Sequence, residues 1–114
     1  MTHYMNLHFD PFSKIKNKTK TIELRLYDEK RSLINVNDTI VFSCTSDPAK
    51  TVTVKVSALH RFKNFAELYK TLPLERCGYL PHEIPNATPE DMNVYYSIEK
   101  QKQYGVVGIE IRLI

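Results

Sequence analysis

Residues 19–27 read TKTIELRLY, an alternation from which the rest of the fold can be worked out. Ile22, Leu24 and Leu26 fall on one side of an extended chain, with Thr21, Glu23, Arg25 and Tyr27 on the other. That is the two-residue period of a β-strand. The apolar side belongs to a core. The other side places two opposite charges about 7 Å apart along the strand, because alternate side chains share a face. Facing inward, Glu23 and Arg25 must pair and find hydrogen bonds, since an unpaired buried charge is costly. Facing outward, they contribute at most ~1 kcal/mol. An open-mouthed barrel offers a third arrangement, a wet polar cleft, and there the same residues form a binding site.

Charge is concentrated around this strand. Residues 14–31 contain Lys14, Lys16, Lys18, Lys20, Arg25, Lys30 and Arg31 against Glu23, Asp28 and Glu29. The whole chain has a net charge of +3, so the excess of cations lies in this one segment. Such a segment is either a solvated face or a local field that attracts an anion.

The flanking sequence supplies further strands and short helices. YMNLHF reads as a strand, followed by a helix start with Asp10 as cap and Pro11 in the first turn. DTIVFSCT gives another strand. TVTVKVSALHRF gives a longer one, with Val52, Val54, Val56 and Ala58 on one face and the turn SDPAK before it. Asn64 with Glu67 opens a helix through Phe65, Leu68, Tyr69 and Leu72. Residues 73–89 hold four prolines and a glycine and read as a loop-rich excursion. Thr88-Pro89-Glu90-Asp91 then starts one helix running to Tyr104-Gly105, with Val94, Tyr95 and Ile98 as its stripe. VVGIEIRLI closes the chain as a strand. The expected class is α+β, a small β-barrel of about five or six strands flanked by two or three helices.

Composition narrows the possibilities. The 114 residues, 42% apolar and 25% charged, fit one globular domain spanning 1–114. No apolar run reaches the ~18–20 residues that cross a bilayer. Met1-Thr2-His3-Tyr4 lacks the pattern of a secretory signal. Cys44 and Cys77 have no metal-ligand spacing and form no disulfide framework, so a reduced, cytoplasmic setting is expected, with Cys44 a buried free thiol. His3, His8, His60 and His82 show no metal-binding spacing, and three glycines leave no phosphate-cradling loop. No metal or cofactor is expected. His60, Arg61 and Lys63 end the long strand, either as solvated residues or as an extension of a basic rim.

A resemblance to a known family sharpens this reading. KTKTIELRLYDEKR resembles the signature of ASCH domains, a group named after a homology region of a transcriptional coactivator and related to PUA-type RNA-binding barrels. Their motif is Gly-x-Lys-x-x-Glu-x-Arg. Lys20, Glu23 and Arg25 stand at the matching positions, with Lys18 in place of the glycine. Asn17 beside it tolerates a positive φ. Asn37-Asp38 resembles the family's usual Gly-Asp, and YGVVGIEIRLI resembles the closing strand of bacterial relatives.

The resemblance implies a barrel with a basic cleft that binds RNA or a nucleotide-like molecule. The residues assigned to it are Lys20, Glu23, Arg25, Tyr27, Lys30, Arg31 and Tyr104. Arg25 offers a planar fork to a phosphate or a base edge, and Glu23 accepts from an exocyclic amine or orients Arg25. Tyr27, Tyr95, Tyr96 and Tyr104 can stack on a base or pack in the core. Some bacterial relatives resemble enzymes that deacetylate acetylcytidine with a lysine, a threonine three residues later and a glutamate on the last helix. On this chain those positions map to Lys20, Glu23 and Asp91. Glu23 removes the hydroxyl nucleophile but can act as a general base beside Lys20, while Asp91 can simply cap a helix after Thr88. A hydrolase of a modified nucleoside is therefore the alternative. A protein-interaction module is a third, if the Glu23/Arg25 face is flat and exposed.

Overall fold

The computed structural model describes residues 1–114. Five strands form one sheet: β1 (Thr2–Leu7), β2 (Ile22–Leu26), β3 (Thr39–Cys44), β4 (Asp47–Phe62) and β5 (Val106–Leu113). Their spatial order is β1-β3-β4-β5-β2; β1 runs parallel to β3, and every other pairing is antiparallel. Three helices accompany it: α1 (Phe9–Lys16), α2 (Phe65–Thr71) and α3 (Ile98–Tyr104). The protein is an α+β half-barrel, the expected class.

Consecutive strands β1 and β2 lie at opposite edges of the sheet, so α1 must cross from one edge to the other. The sheet curls until those edges nearly meet, and Phe12 and Ile15 of α1 fill the space between them. Inside the curl they join Met5, Leu7, Ile40, Phe42, Val54, Val56, Val107 and Ile109. On the outer face Ile22, Leu24, Leu26 and Val106 pack with Phe65, Leu68 and Leu72 of α2. The apolar side of β2 thus lies in a core, as its alternation predicts. Its polar side faces the inside of the curl, because Glu23 pairs with Ile109 and Arg25 with Val107, and directly paired residues point the same way.

Several local expectations shift. The first strand starts and ends two residues earlier, and α1 begins at Phe9 with His8 at its cap position. Asp10 sits inside the first turn, where its carboxylate pairs with Lys14 at 3.0 Å. In β4 the register against β5 slips between Val56 and Ala58. This β-bulge adds one residue, so Ala58 leaves the face of Val52, Val54 and Val56, and Leu59 takes its place.

The single helix expected from Thr88 to Tyr104 is broken. A 3₁₀ turn spans Pro89–Val94, and α3 starts afresh with Ser97 accepting from the Lys100 amide at 3.2 Å. The Gln101 amide donates to the Tyr96 carbonyl and the Asn93 side chain, both at 2.9 Å, which satisfies backbone that the break leaves open. The expected stripe turns outward as a result: Val94, Tyr95 and Ile98 are exposed, while Met92 is buried and Tyr96 half-buried.

Two residues without glycine's freedom adopt left-handed backbone, Lys18 at φ 71° and Asn37 at φ 77°. They are the positions where the resemblance places glycines. Lys18 itself takes the turn, while Asn17 keeps φ −88° and accepts from the Thr19 amide and hydroxyl. No helix is long and apolar enough to cross a membrane. Cys44 and Cys77 are free and buried.

Candidate functional site

Where the curl leaves its edges open, a cleft of about 470 Å³ forms between the ends of β1 and β2, α1 and the excursion after α2. Its floor is a closed ion triad. Glu23 accepts from the Lys20 ammonium at 2.8 Å through one oxygen and from Arg25 Nε at 2.7 Å through the other. Glu23 is 3% exposed. Burial pushes its carboxyl up, but the adjacent Lys20 and Arg25 charges overcome that and hold it at about 2. Of the arrangements open to this strand face, the buried, paired one at a cleft forms. The face is neither flat nor exposed.

The triad is a poor base and a good set of donors. A carboxylate held far below neutral pH has little affinity for a proton, so Glu23 is weak at activating water. Lys20 makes one ion pair and keeps protons to donate. Arg25 donates one Nη to the Asn6 carbonyl at 2.9 Å, and its other Nη has no partner within the chain. Fixed donors thus stand at the cleft floor.

The 73–89 excursion, expected as irregular loop, builds one wall of the cleft. The Thr21 amide donates to the Arg76 carbonyl, and Arg76 Nε donates to the Thr21 hydroxyl, each at 2.8 Å, tying a short turn over Leu74–Cys77 to the start of β2. Gly78 follows at φ 106°, and its carbonyl accepts from Lys14 of α1 at 2.8 Å. Tyr79 is thereby placed on the cleft wall beside Tyr69. Tyr79 donates to Asp91 at 2.8 Å, which commits its proton, so Tyr69 donates to Tyr79 across their 2.7 Å contact. Burial raises Tyr69 to about 12 and also raises Tyr79, so both hydroxyls stay protonated. Asp91 also accepts from the Thr88 amide at 3.2 Å and hydroxyl at 3.3 Å; these bonds, the Tyr79 bond first, hold it below the usual carboxylate range. It works as a helix-start cap and an anchor for Tyr79. Tyr95 and Tyr96 complete the aromatic lining.

The expected residues are therefore only partly brought together. Lys20, Glu23, Arg25 and Asp91 share the cleft. Tyr27 and Tyr104 line a second depression. Lys30 is exposed, and Arg31 pairs with Asp28 at 3.3 Å, so neither lines the cleft. A basic cleft is not what forms: Lys14, Lys20 and Arg25 face Asp10, Glu23, Glu83 and Asp91. Charges adjacent in sequence disperse in space, because Lys16, Lys18 and Lys30 point to solvent.

A curled five-stranded sheet with a polar triad at its open seam defines a PUA-like half-barrel with a ligand-sized cleft. The chain belongs to the ASCH domain family, whose sequence profile matches residues 5–114. It is similar to the crystal structure of hypothetical protein PH0355, with 33% identity and a TM-score of 0.82 over 100% of both chains. It is also similar to the solution structure of protein PF0455 from Pyrococcus furiosus, with 35% identity and a TM-score of 0.74, covering 100% of this chain and 98% of that one. No curated protein matches the chain.

Proposed function

We propose that the cleft binds a nucleotide-like ligand, a base of RNA or a free nucleotide, through Lys20, Arg25 and its tyrosine walls. One observation carries this reading: the ion-paired Lys20–Glu23–Arg25 floor keeps fixed donors to spare in a cleft that Tyr69, Tyr79, Tyr95 and Tyr96 also line. A flat polar heterocycle needs aromatic faces to stack on and fixed donors at its edge. The volume lies in the ~300–1,000 Å³ range of small-molecule sites. Because acids balance the cations here, the group that enters is the base and not its phosphate.

Titration of the four ribonucleoside monophosphates and of short single-stranded RNA, by calorimetry or fluorescence, tests this. Lys20→Ala is expected to weaken binding about tenfold or more, the effect of losing a charged hydrogen bond. Absent binding, or unchanged affinity in that variant, would count against the proposal. Incubation with acetylcytidine separates this reading from the hydrolase that the resemblance also implies. Mass loss abolished by Glu23→Gln would favour the hydrolase. The low proton affinity of Glu23 and the full engagement of Asp91 favour binding.

A further inference from the structure

A second, shallower depression of about 450 Å³ lies at the end of β2, where β4 finishes and β5 begins. Tyr27, Arg61, Lys63, Glu67, Lys102 and Tyr104 carry its chemistry. Three cations here face Glu67 and, at the rim, Glu29, which accepts from the Tyr104 hydroxyl at 3.0 Å, so cations still outnumber acids, the reverse of the cleft. The acid in the lining is Glu67. That acid is also directed elsewhere, since Glu67 accepts from the Lys63 backbone amide at 3.4 Å near the start of α2. None of Arg61, Lys63 and Lys102 belongs to an ion pair.

Arg61 is held in place without being neutralised. Its guanidinium lies over the Tyr27 ring, 3.9 Å from the centroid, and the stack leaves the N–H edge free. The bulge in β4 is what brings it there. Before the slip between Val56 and Ala58, the even-numbered residues face the inside of the curl; after it, Leu59 and Arg61 do. A regular strand would send Arg61 to the outer face. Re-aiming a side chain in this way is a common use of a bulge.

The same register joins the two sites. Arg61 pairs with Val107 on β5, and Val107 pairs with Arg25 on β2. Arg25 and Arg61 therefore rise from one cross-strand row on one face, two strand spacings or about 10 Å apart. One belongs to the cleft and the other to the basic groove.

We infer that this groove is a phosphate track, and that the protein's ligand is a single-stranded RNA whose base enters the cleft while flanking phosphates lie along Arg61, Lys63 and Lys102. The inference rests on the cleft reading given above and adds the polymeric nature of the ligand. Single-strand sites combine cations that follow the backbone with aromatic rings that take bases. Division of the two tasks between neighbouring sites accounts for their opposite charge balance. Arginine forks a phosphate and lysines add point charges.

The test uses fluorescein-labelled, mixed-sequence RNA oligomers, measured by anisotropy over a salt series. Wild-type protein is compared with a groove variant (Arg61→Ala, Lys63→Ala, Lys102→Ala) and a cleft variant (Lys20→Ala). The groove variant should bind about tenfold or more weakly, and its log K against log salt slope should be shallower by about 2, at roughly 0.7 per single-strand phosphate contact. A second groove variant, Lys63→Glu with Lys102→Glu, keeps the Arg61–Tyr27 stack and should show the same loss with an unchanged unfolding curve. Groove variants that bind like wild type overturn the inference while the Lys20→Ala result still judges the cleft. Loss in the groove variants alone, with Lys20→Ala binding like wild type, removes the cleft reading and overturns the inference with it, because no base then enters the cleft. No RNA binding by wild type overturns the track, and monophosphate titration then judges the cleft by itself. Competition by polyglutamate as effective as by unlabelled RNA also overturns it, because charge alone would then suffice.

Discussion

Arg25 donates from one Nη to the backbone carbonyl of Asn6 at 2.9 Å, across the seam between two edge strands that do not pair. The same side chain closes the ion triad through Glu23. One residue thus joins the closure of the half-barrel to the floor of its cleft, so a change at Arg25 acts on both.

Arg25→Ala leaves the Asn6 carbonyl and one Glu23 oxygen without their donor. The variant is expected to lose about 3 kcal/mol of unfolding free energy, as when one partner of a buried pair is removed. Urea denaturation measures it. Arg25→Lys keeps the charge without the fork and should recover only part. A loss under about 1 kcal/mol would show that the seam is solvated like an ordinary surface pair.

Acid should unfold the protein through two carboxylates. Burial opposes ionisation of Glu23, but Lys20 and Arg25 hold it at about 2, below its ordinary 4.5. Asp38 is also held at about 2, below 3.8, chiefly by the 2.8 Å hydrogen bond with His3 and then by the Asn35 amide. Both folded values lie below the unfolded ones. Their stabilisation is therefore complete above about pH 4.5 and disappears as the pH falls toward 2. The Glu23 share at neutral pH is about 3 kcal/mol. Denaturation midpoints from pH 7 downward should fall steeply in this window for wild type and less so for Glu23→Gln. An equal slope in the two proteins would contradict the assignment.

Lys18→Gly should stabilise the chain. An L-residue in left-handed backbone costs roughly 1–2 kcal/mol, from which glycine's extra chain entropy subtracts roughly 0.5–1. A net gain of about 0.5–1 kcal/mol is expected for Lys18→Gly. Asn37→Gly should gain less, since asparagine tolerates this region. Thermal and urea unfolding of the two single variants rank them, and a destabilised Lys18→Gly would mean that the Lys18 side chain has a task of its own.

Gly78→Ala should damage both fold and cleft. The φ of 106° strains any side chain, and a Cβ would stand 3.2 Å from Cδ of Lys20. A loss of about 1–2 kcal/mol follows from the backbone alone. Displacement of the Lys20 stem should further weaken nucleotide or RNA binding. Wild-type affinity in a destabilised Gly78→Ala protein would separate the excursion from the site.

Local period and composition already carry a large part of this fold. The alternation of Ile22, Leu24 and Leu26, the cap at Asn64, and the spacing of Lys20, Glu23 and Arg25 are each set within a few residues of chain. They are enough for the fold class and for the polar face of β2. The excursion is not legible in the sequence: its prolines announce irregular backbone but not where that backbone returns, so nothing local points to Tyr79 and its bond to Asp91. The broken helix before Tyr104 was equally hidden, because Tyr96 and Met92 are drawn inward by α2 and β2 rather than by helical period.

How the charges group is set by contacts distant in the chain. Lys14 to Arg31 form one basic segment along the chain, yet curling of the sheet assigns Lys20 and Arg25 to a cleft rich in acids and leaves Lys30 in solvent. A single extra residue at Ser57 turns Arg61 toward the inside of the curl, into the same row as Arg25. Strand period is local, whereas register and closure depend on contacts between residues far apart in the chain. Those contacts fix which charges meet.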